Sequence, residues 1–492
     1  MAKSEVSGVA RHTGIYFLGS ILNRAASFIL LPLYLKTLSA TEFGWLSIVL
    51  ASMEVLALGL GLGIGNAMVR LLVECNCDSQ RGRVIGSALV LFLLPATLVL
   101  AMAVPAGQVA ANYFSASGIS PSLLSIGFAA VVFTVLFELI LSVFRGMKQS
   151  WWYTFLSTGK SVLFLILNTV FLLGFGWGVA GILWGTLISV ALLSGIAVFR
   201  FFRTYPLTYS YDTLRRFAKI GFPIIPGAVM DALFTSMDKF YLASSVSPAI
   251  IGIYALASRL AQLLRIAVAA PFAQIWTVRR LEVETNPDAN SDDPIFTTIL
   301  LGYLIVLLTS SLGLSLLGPE IIYVIGRSEY MRAADFIPFM TAGLFLYVLK
   351  WNFEIGIFAA EKTLWISLVS LITVLVALPV YSYIVPVYGA KGAAVAFVAL
   401  GILRTALTMF LANKVSTLAR SFPSQETALL CMAAVASYMG TRVIGGTVIP
   451  FEGLGIRVLA LGIFIIFCML VGMLNIDMRT QIMTAIRKKI RT

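Results

Sequence analysis

Charged residues are scarce in this chain. Asp, Glu, Lys and Arg supply 12% of its 492 residues, about half the share usual in soluble domains. The only histidine is His12, ahead of the first apolar run, where it marks an exposed segment. No H-E-x-x-H, G-x-S-x-G or G-x-x-x-x-G-K motif occurs, so zinc-protease, hydrolase-elbow and P-loop chemistry lose their usual carriers. Four scattered cysteines are too few for a disulfide framework, and Cys75 with Cys77 forms a lone C-x-C in a short loop. Long polar stretches are missing too. The longest, "VRRLEVETNPDANSDDP" (Val278 to Pro294), reads as a solvated linker, which leaves no sizeable soluble domain. Neither cofactor nor metal is expected, and the chain does not read as an enzyme.

Apolar residues, by contrast, make up 59% of the chain. Runs of about 20, long enough to cross a hydrocarbon core of about 30 Å, recur from Tyr16 to Asn475. Fourteen spans are expected, near 14–38, 43–70, 84–105, 122–144, 153–175, 178–199, 220–244, 249–275, 295–317, 335–358, 364–385, 392–413, 427–446 and 454–475. The fold class is an all-α polytopic membrane protein. The start, "MAKSEVSGVARHTG", lacks the short apolar core and cleavage site of a removable signal, so the first span is expected to stay.

Sorting Lys and Arg between alternate loops tests that count. With the N-terminus inside, 22 fall on the cytoplasmic side and 6 outside, the bias expected of an inner membrane protein with both termini cytoplasmic. The net charge of +13 therefore faces the anionic inner leaflet and is no argument for nucleic acid.

The chain also repeats itself. "LYLKTLSATEFGWLSIVLAS" from Leu33 aligns with "FYLASSVSPAIIGIYALAS" from Phe240, pairing Tyr34 with Tyr241 and Gly44 with Gly252. Later, "GVAGILWGT" from Gly178 aligns with "GAKGAAVAF" from Gly389, pairing Gly181 with Gly392. Offsets of 207 to 208 and 211 imply two six-helix halves, residues 1–205 and 206–415, followed by two helices and a basic tail, 416–492. Each half has an even number of spans, so both point the same way about an axis along the membrane normal, and the cleft between them is the natural substrate path.

Four stretches carry a resemblance: "LNRAASFILLPLYLKTLSATEFGWLSI", "FRGMKQSWWY", "FGWGVAGILWGTLIS" and "FAKIGFPIIPGAVMDALFTSMDKFYLASSVSPAIIGIYALASRLAQL". Over roughly residues 10–415 the chain resembles, in pattern, the polysaccharide (Wzx-type) flippases of the multidrug, oligosaccharidyl-lipid and polysaccharide exporter superfamily. That resemblance implies transport of an undecaprenyl-pyrophosphate-linked oligosaccharide to the outer leaflet by alternating access, for O-antigen, capsule or exopolysaccharide synthesis. It also implies contact with membrane lipids, a lipid-tail groove at the last two helices, and polymerase and chain-length proteins as partners. Rival readings are a drug or cation antiporter of the same superfamily and a membrane-embedded polymerase or glycosyl transferase.

Charges deep in spans discriminate among these, because they face cavities or partners. Arg24, Glu54, Asp231, Arg259, Arg265, Lys350, Glu354 and Arg404 lie far from span ends and are net positive, which suits an anionic cargo better than a cationic drug. Ser20, Arg24 and Ser27 share one face of the first span, with Asn23 beside them. A guanidinium there grips a pyrophosphate in a bidentate way, or else pairs with Glu54 or Asp231. Arg259, Arg265 and Arg404 are further substrate contacts, with packing roles as the alternative. Asp231, Thr235 and Asp238 form an acidic stripe suited to ion pairing or to a coupling ion. Lys350 and Glu354, at i and i+4, read first as a local salt bridge.

Finally, "LGLGLGIGNAMVR" places Gly59, Gly61, Gly63 and Gly65 at alternate positions, and no register satisfies G-x-G-x-x-G. On a helix they form overlapping small-x-x-x-small pairs. At an offset of 208 they fall on Ala267, Ala269, Pro271 and Ala273. Matched weak points in the two halves read as a paired hinge near the inner gate.

Overall fold

Ser39 and Glu42 cap each other. The Ser39 amide and hydroxyl donate to the Glu42 carboxylate at 2.8 and 2.9 Å, and the Glu42 amide donates back to the hydroxyl. This S-x-x-E box satisfies donors that an open helix end leaves unpaired, and it starts the helix that opens at Ala40. The computed structural model describes residues 29–61, 63–114, 118–285, 294–415, 422–445 and 450–474.

Among the described residues every regular element is helical. Residues 29–37 (α1) end the first span. Then follow α2 (Ala40–Gly61), α3 (Ile64–Val73), α4 (Asp78–Tyr113), α5 (Pro121–Gly146), α6 (Ser150–Thr169, closing in a π turn at Val170–Gly174), α7 (Gly178–Thr204), α8 (Tyr211–Gly221) and α9 (Ile225–Ser245). After these come α10 (Pro248–Leu264), a π turn at Arg265–Ala269, α11 (Ala270–Thr285), α12 (Pro294–Leu316), α13 (Gly318–Ile325), α14 (Ile337–Ala359), α15 (Leu364–Val415), α16 (Ser424–Gly445) and α17 (Leu454–Leu474).

Among the described residues, eleven helices are long and apolar enough to cross a membrane, and α8 with α9 passes as a bent pair, turning by 46°. The 52 residues of α15 would measure about 78 Å as one helix, more than twice the hydrocarbon core. Gly389, at φ 57° and ψ −141°, breaks α15 into two spans. Gly178, its partner in the sequence repeat, starts α7 in the same left-handed region, at φ 54°. Spans two to fourteen, as expected from the sequence, are therefore all covered by described helices, the second and eighth by two helices each and the eleventh and twelfth by the two parts of α15.

The chain divides into two compact units, Met1–Gly252 and Ile253–Thr492. The division comes later than the sequence repeat at 205/206, because α9 packs against α2 inside the first unit. At the core of that unit, α5 lies against α2, α3, α4 and α7, with Leu124, Ala130, Phe137 and Phe144 fully enclosed. In the second unit α14 lies along α15 and α12. Gly343 takes the Phe397 ring against its backbone, and a Cβ at Gly401 would meet Leu346 at 3.4 Å. Where helices pack within lipid, such small residues let backbones approach and gain dispersion energy. Exposed apolar side chains such as Leu94, Leu364 and Val443 face outward, as hydrocarbon contact requires.

Two contacts bear on later argument. Gly44 and Gly252 face each other reciprocally: a Cβ on Gly44 would strike the Pro248 carbonyl and sit 3.1 Å from the Gly252 nitrogen. One on Gly252 would strike the Ala40 carbonyl and sit 2.9 Å from the Gly44 nitrogen. Ala40 and Pro248 begin α2 and α10, so repeat-equivalent residues meet repeat-equivalent residues. The linker after α7 is also pinned. Gly82 and Gly86 on α4 leave room for the Pro206 and Thr208 carbonyls, and the Ser210 amide donates to the Ser87 hydroxyl at 3.2 Å.

Candidate functional site

The second span is not one helix. It breaks between α2 and α3, and Gly63 adopts φ 64° and ψ 9°, a conformation that costs any residue with a Cβ. The same glycine lies against the backbone of Gly221 at the end of α8, where a Cβ would come within 2.7 Å of the Gly221 Cα. Gly65 is tight as well, 3.2 Å from the Ser142 hydroxyl. Close packing, expected of all four glycines, fails at the other two. A Cβ on Gly59 would meet nothing within 4 Å, and one on Gly61 only the tip of Val135 at 3.9 Å. The reason is the break itself, since small-x-x-x-small spacing forms a face only on a continuous helix.

The repeat-equivalent place in the eighth span is irregular in another way. Arg265–Ala269 forms a π turn between α10 and α11, and Pro271, which is exposed, lies in the first turn of α11. One half breaks with a left-handed glycine and the other bulges before a proline. Both are recognised causes of bending.

Among the charges expected within spans, Arg24 and Asn23 lie outside the described residues. Glu54 is exposed halfway along α2. On α9, Asp231 is half-buried and Asp238 is buried, the latter with Lys239 Nζ at 3.3 Å. Lys239 also donates to the Thr235 carbonyl, at 3.2 Å. Arg259 is exposed on α10, and Arg265 is half-buried at the start of the π turn.

The second unit brings three of the expected residues together. Lys350 donates to Glu354 Oε1 at 2.7 Å, with only 4% of its own side chain exposed. Its ammonium stands 4.9 Å from the centre of the Tyr347 ring, and the Arg404 guanidinium stands 5.8 Å from the same ring. Arg404, buried, donates to the Ser370 hydroxyl at 2.9 Å, and its carbonyl accepts from Thr408 at 2.8 Å. Thr405 ties the cluster's two helices by donating to the Leu346 carbonyl at 3.0 Å. Two cations thus share one phenol ring inside a membrane-spanning bundle, where cation–π attraction strengthens as water leaves. Tyr347 and Ser370 carried no sequence signal, being an aromatic and a hydroxyl in apolar helices.

Other polar ties were equally hidden. Tyr34 donates to Asn168 at 3.0 Å, joining α1 to α6. Arg216 pairs with Glu74, Arg457 with Glu320 at 2.6 Å, and Arg442 with Asp335 at 3.5 Å. In the C-x-C loop, burial pushes the Cys75 thiol above its usual range, which keeps it from acting as a thiolate.

Comparison with known proteins follows the same lines. A family model described as polysaccharide biosynthesis protein matches residues 9–276. The lipid II flippase MurJ in an inward closed conformation shares the fold, at a TM-score of 0.73 and 16% identity. That likeness covers 96% of this chain and 100% of that one. An inward-facing MATE family multidrug resistance transporter of the MOP superfamily gives 0.66 at 15% identity, covering 80% of this chain and 95% of its own. A MOP superfamily transporter from Pyrococcus furiosus, described as having a binding pocket of reverse polarity, gives 0.57 at 16%, covering 81% and 93%. No curated protein matches the sequence.

Proposed function

Because the chain belongs to the polysaccharide biosynthesis protein family, with residues 9–276 inside the family match, we propose that it is a flippase. Its cargo is a lipid-linked oligosaccharide, carried across the cytoplasmic membrane for cell-surface polysaccharide assembly. The observation that carries this reading is length. Likeness to the lipid II flippase takes in 96% of this chain and all of that one, whereas the inward-facing MATE transporter accounts for 80%. The fold is thus shared over nearly its whole length with a protein named as a lipid II flippase.

The chemistry of the spans supports an anionic head group. A pyrophosphate carries about two negative charges, and guanidinium groups bind its oxygens in pairs. Arg24 with Asn23, Arg259, Arg265 and Arg404 are the residues assigned to it. Glu54, Asp231 and Asp238 balance those cations, Lys350 and Glu354 balance each other, and the carboxylates are the places for a coupling proton or sodium ion. The halves 1–205 and 206–415 exchange access by bending at Gly63 and at the π turn before Pro271, and residues 416–492 stand apart from that frame. Both termini face the cytoplasm. Polymerase and chain-length proteins act on the delivered cargo.

The test uses the full chain in proteoliposomes, offered a pyrophosphate-linked oligosaccharide lipid and a neutral lipid-linked analogue. Transport of the charged cargo is expected to exceed that of the neutral one at least tenfold. Arg24→Ala should abolish it, Arg24→Lys should restore part of it, and Arg404→Gln should reduce it. Equal transport of both lipids overturns the cationic reading. Uptake of cationic drugs with no lipid movement would favour an antiporter.

A further inference from the structure

The segment between α7 and α9 has work of its own. α8 has eleven residues, about 16 Å of helix, too short to span a bilayer. It is tied at both ends to helices that do span, so it lies close to the membrane surface. One face is taken by the protein: Phe217 and Gly221 are buried, Gly221 lies against Gly63, and Arg216 is paired with Glu74.

The other face has a definite order. Tyr211, Arg215 and Lys219 follow at steps of four on α8, and Phe222, three residues on, opens the 3-10 turn that continues it with helical backbone angles, so the four form one stripe. All four are exposed, Tyr211 by 80%. Two cations are thus flanked by two aromatic rings. Such rings favour the headgroup level of a bilayer, and a basic amphipathic helix is the pattern of a membrane-surface element. The surroundings repeat the theme at the same end of the unit. Arg200 stands over the Trp152 ring at 4.1 Å, Arg203 over Phe199 at 4.6 Å, and Trp151 and Phe202 are exposed. Of the carboxylates near this end, Glu74 and Asp78 are held by Arg216 and Arg81. Asp212 lies off the stripe, one residue after Tyr211.

We propose that the Tyr211–Arg215–Lys219–Phe222 stripe, along α8 and the turn that follows it, is a binding surface for anionic phospholipid headgroups. The rings sit among the headgroups while Arg215 and Lys219 bind their phosphates, which holds α8 at the membrane surface, bent away from α9 by 46°. This surface is independent of what the protein transports. The lipid holds one side of an eleven-residue helix whose other side abuts the broken second span.

The test places a fluorescent label at Tyr209→Cys, an exposed position beside the stripe, in the full chain with Cys75, Cys77, Cys431 and Cys468 changed to serine. The protein is reconstituted in vesicles containing headgroup-spin-labelled phosphatidylglycerol or phosphatidylcholine, and monodisperse elution before reconstitution confirms folding. Quenching by the phosphatidylglycerol probe should exceed that by phosphatidylcholine several-fold. Arg215→Gln with Lys219→Gln should remove the difference, at about fivefold in relative affinity per charge, and Arg215→Lys should keep it. Equal quenching by the two lipids overturns the proposal. So does a label that neither lipid reaches, including one shielded by a second copy or another protein. Transport is not read, so failure here leaves the flippase reading untouched.

Discussion

At Gly63 two constraints meet in one residue: a left-handed backbone and a neighbour, Gly221, whose backbone occupies the space a side chain would fill. Gly63→Ala should therefore destabilise the protein by about 1–3 kcal/mol from backbone strain alone, with the clash in addition. Gly59→Ala meets open space and should be neutral or stabilising by up to about 1 kcal/mol, as in any helix interior. Denaturant unfolding of the two variants in detergent checks the pair, and equal midpoints would refute the distinction. The alternation of glycines was legible in the sequence as a weak point in a span. Which glycine carries it was not, because Gly221 lies at the far end of another helix and no local pattern announces the meeting. The same holds for Arg404: its depth could be read from the apolar run around it, but Tyr347 and Ser370, which flank it, could not.

Elements were legible where hydrophobic length decides them and hidden where a tertiary pair does. Spans two to fourteen follow from runs of apolar residues, since hydrocarbon leaves the backbone no partner but its own helix. Even the join at Gly389 is foreshadowed by its repeat partner Gly178. What holds α17 in place is different. Arg457 reads in the sequence as one more loop cation, yet it donates to Glu320 at 2.6 Å, with 10% of its side chain exposed and 11% of its partner's. Removing one member of such a pair leaves a buried charge uncompensated, at about 3–5 kcal/mol. Arg457→Ala should lower stability by that order and expose the connection between α16 and α17 to protease. Glu320→Gln in the same chain should recover part of the loss, by neutralising the stranded carboxylate. If limited proteolysis cuts the variant and the native chain at the same rate, the pair does not fasten α17.

For the molecule as a whole, family and fold agree on an all-helical polytopic membrane protein, and composition with the absent motifs had removed soluble-domain and P-loop readings. The repeat has a further consequence at Gly44 and Gly252. Each glycine sits over the carbonyl that begins the other's helix, so a methyl group at either position wedges the same crossing open. Ordinary distant substitutions add; these should not. Gly44→Ala and Gly252→Ala should each cost about 1–3 kcal/mol, in the range of overpacking. The double variant should cost less than their sum by more than 0.5 kcal/mol, about the limit for independent sites, because helices already parted by one methyl group have room for the second. A measured coupling energy near zero would mean that the two glycines are accommodated separately. A large one would mean that α2 and α10 share, at this crossing, one degree of freedom.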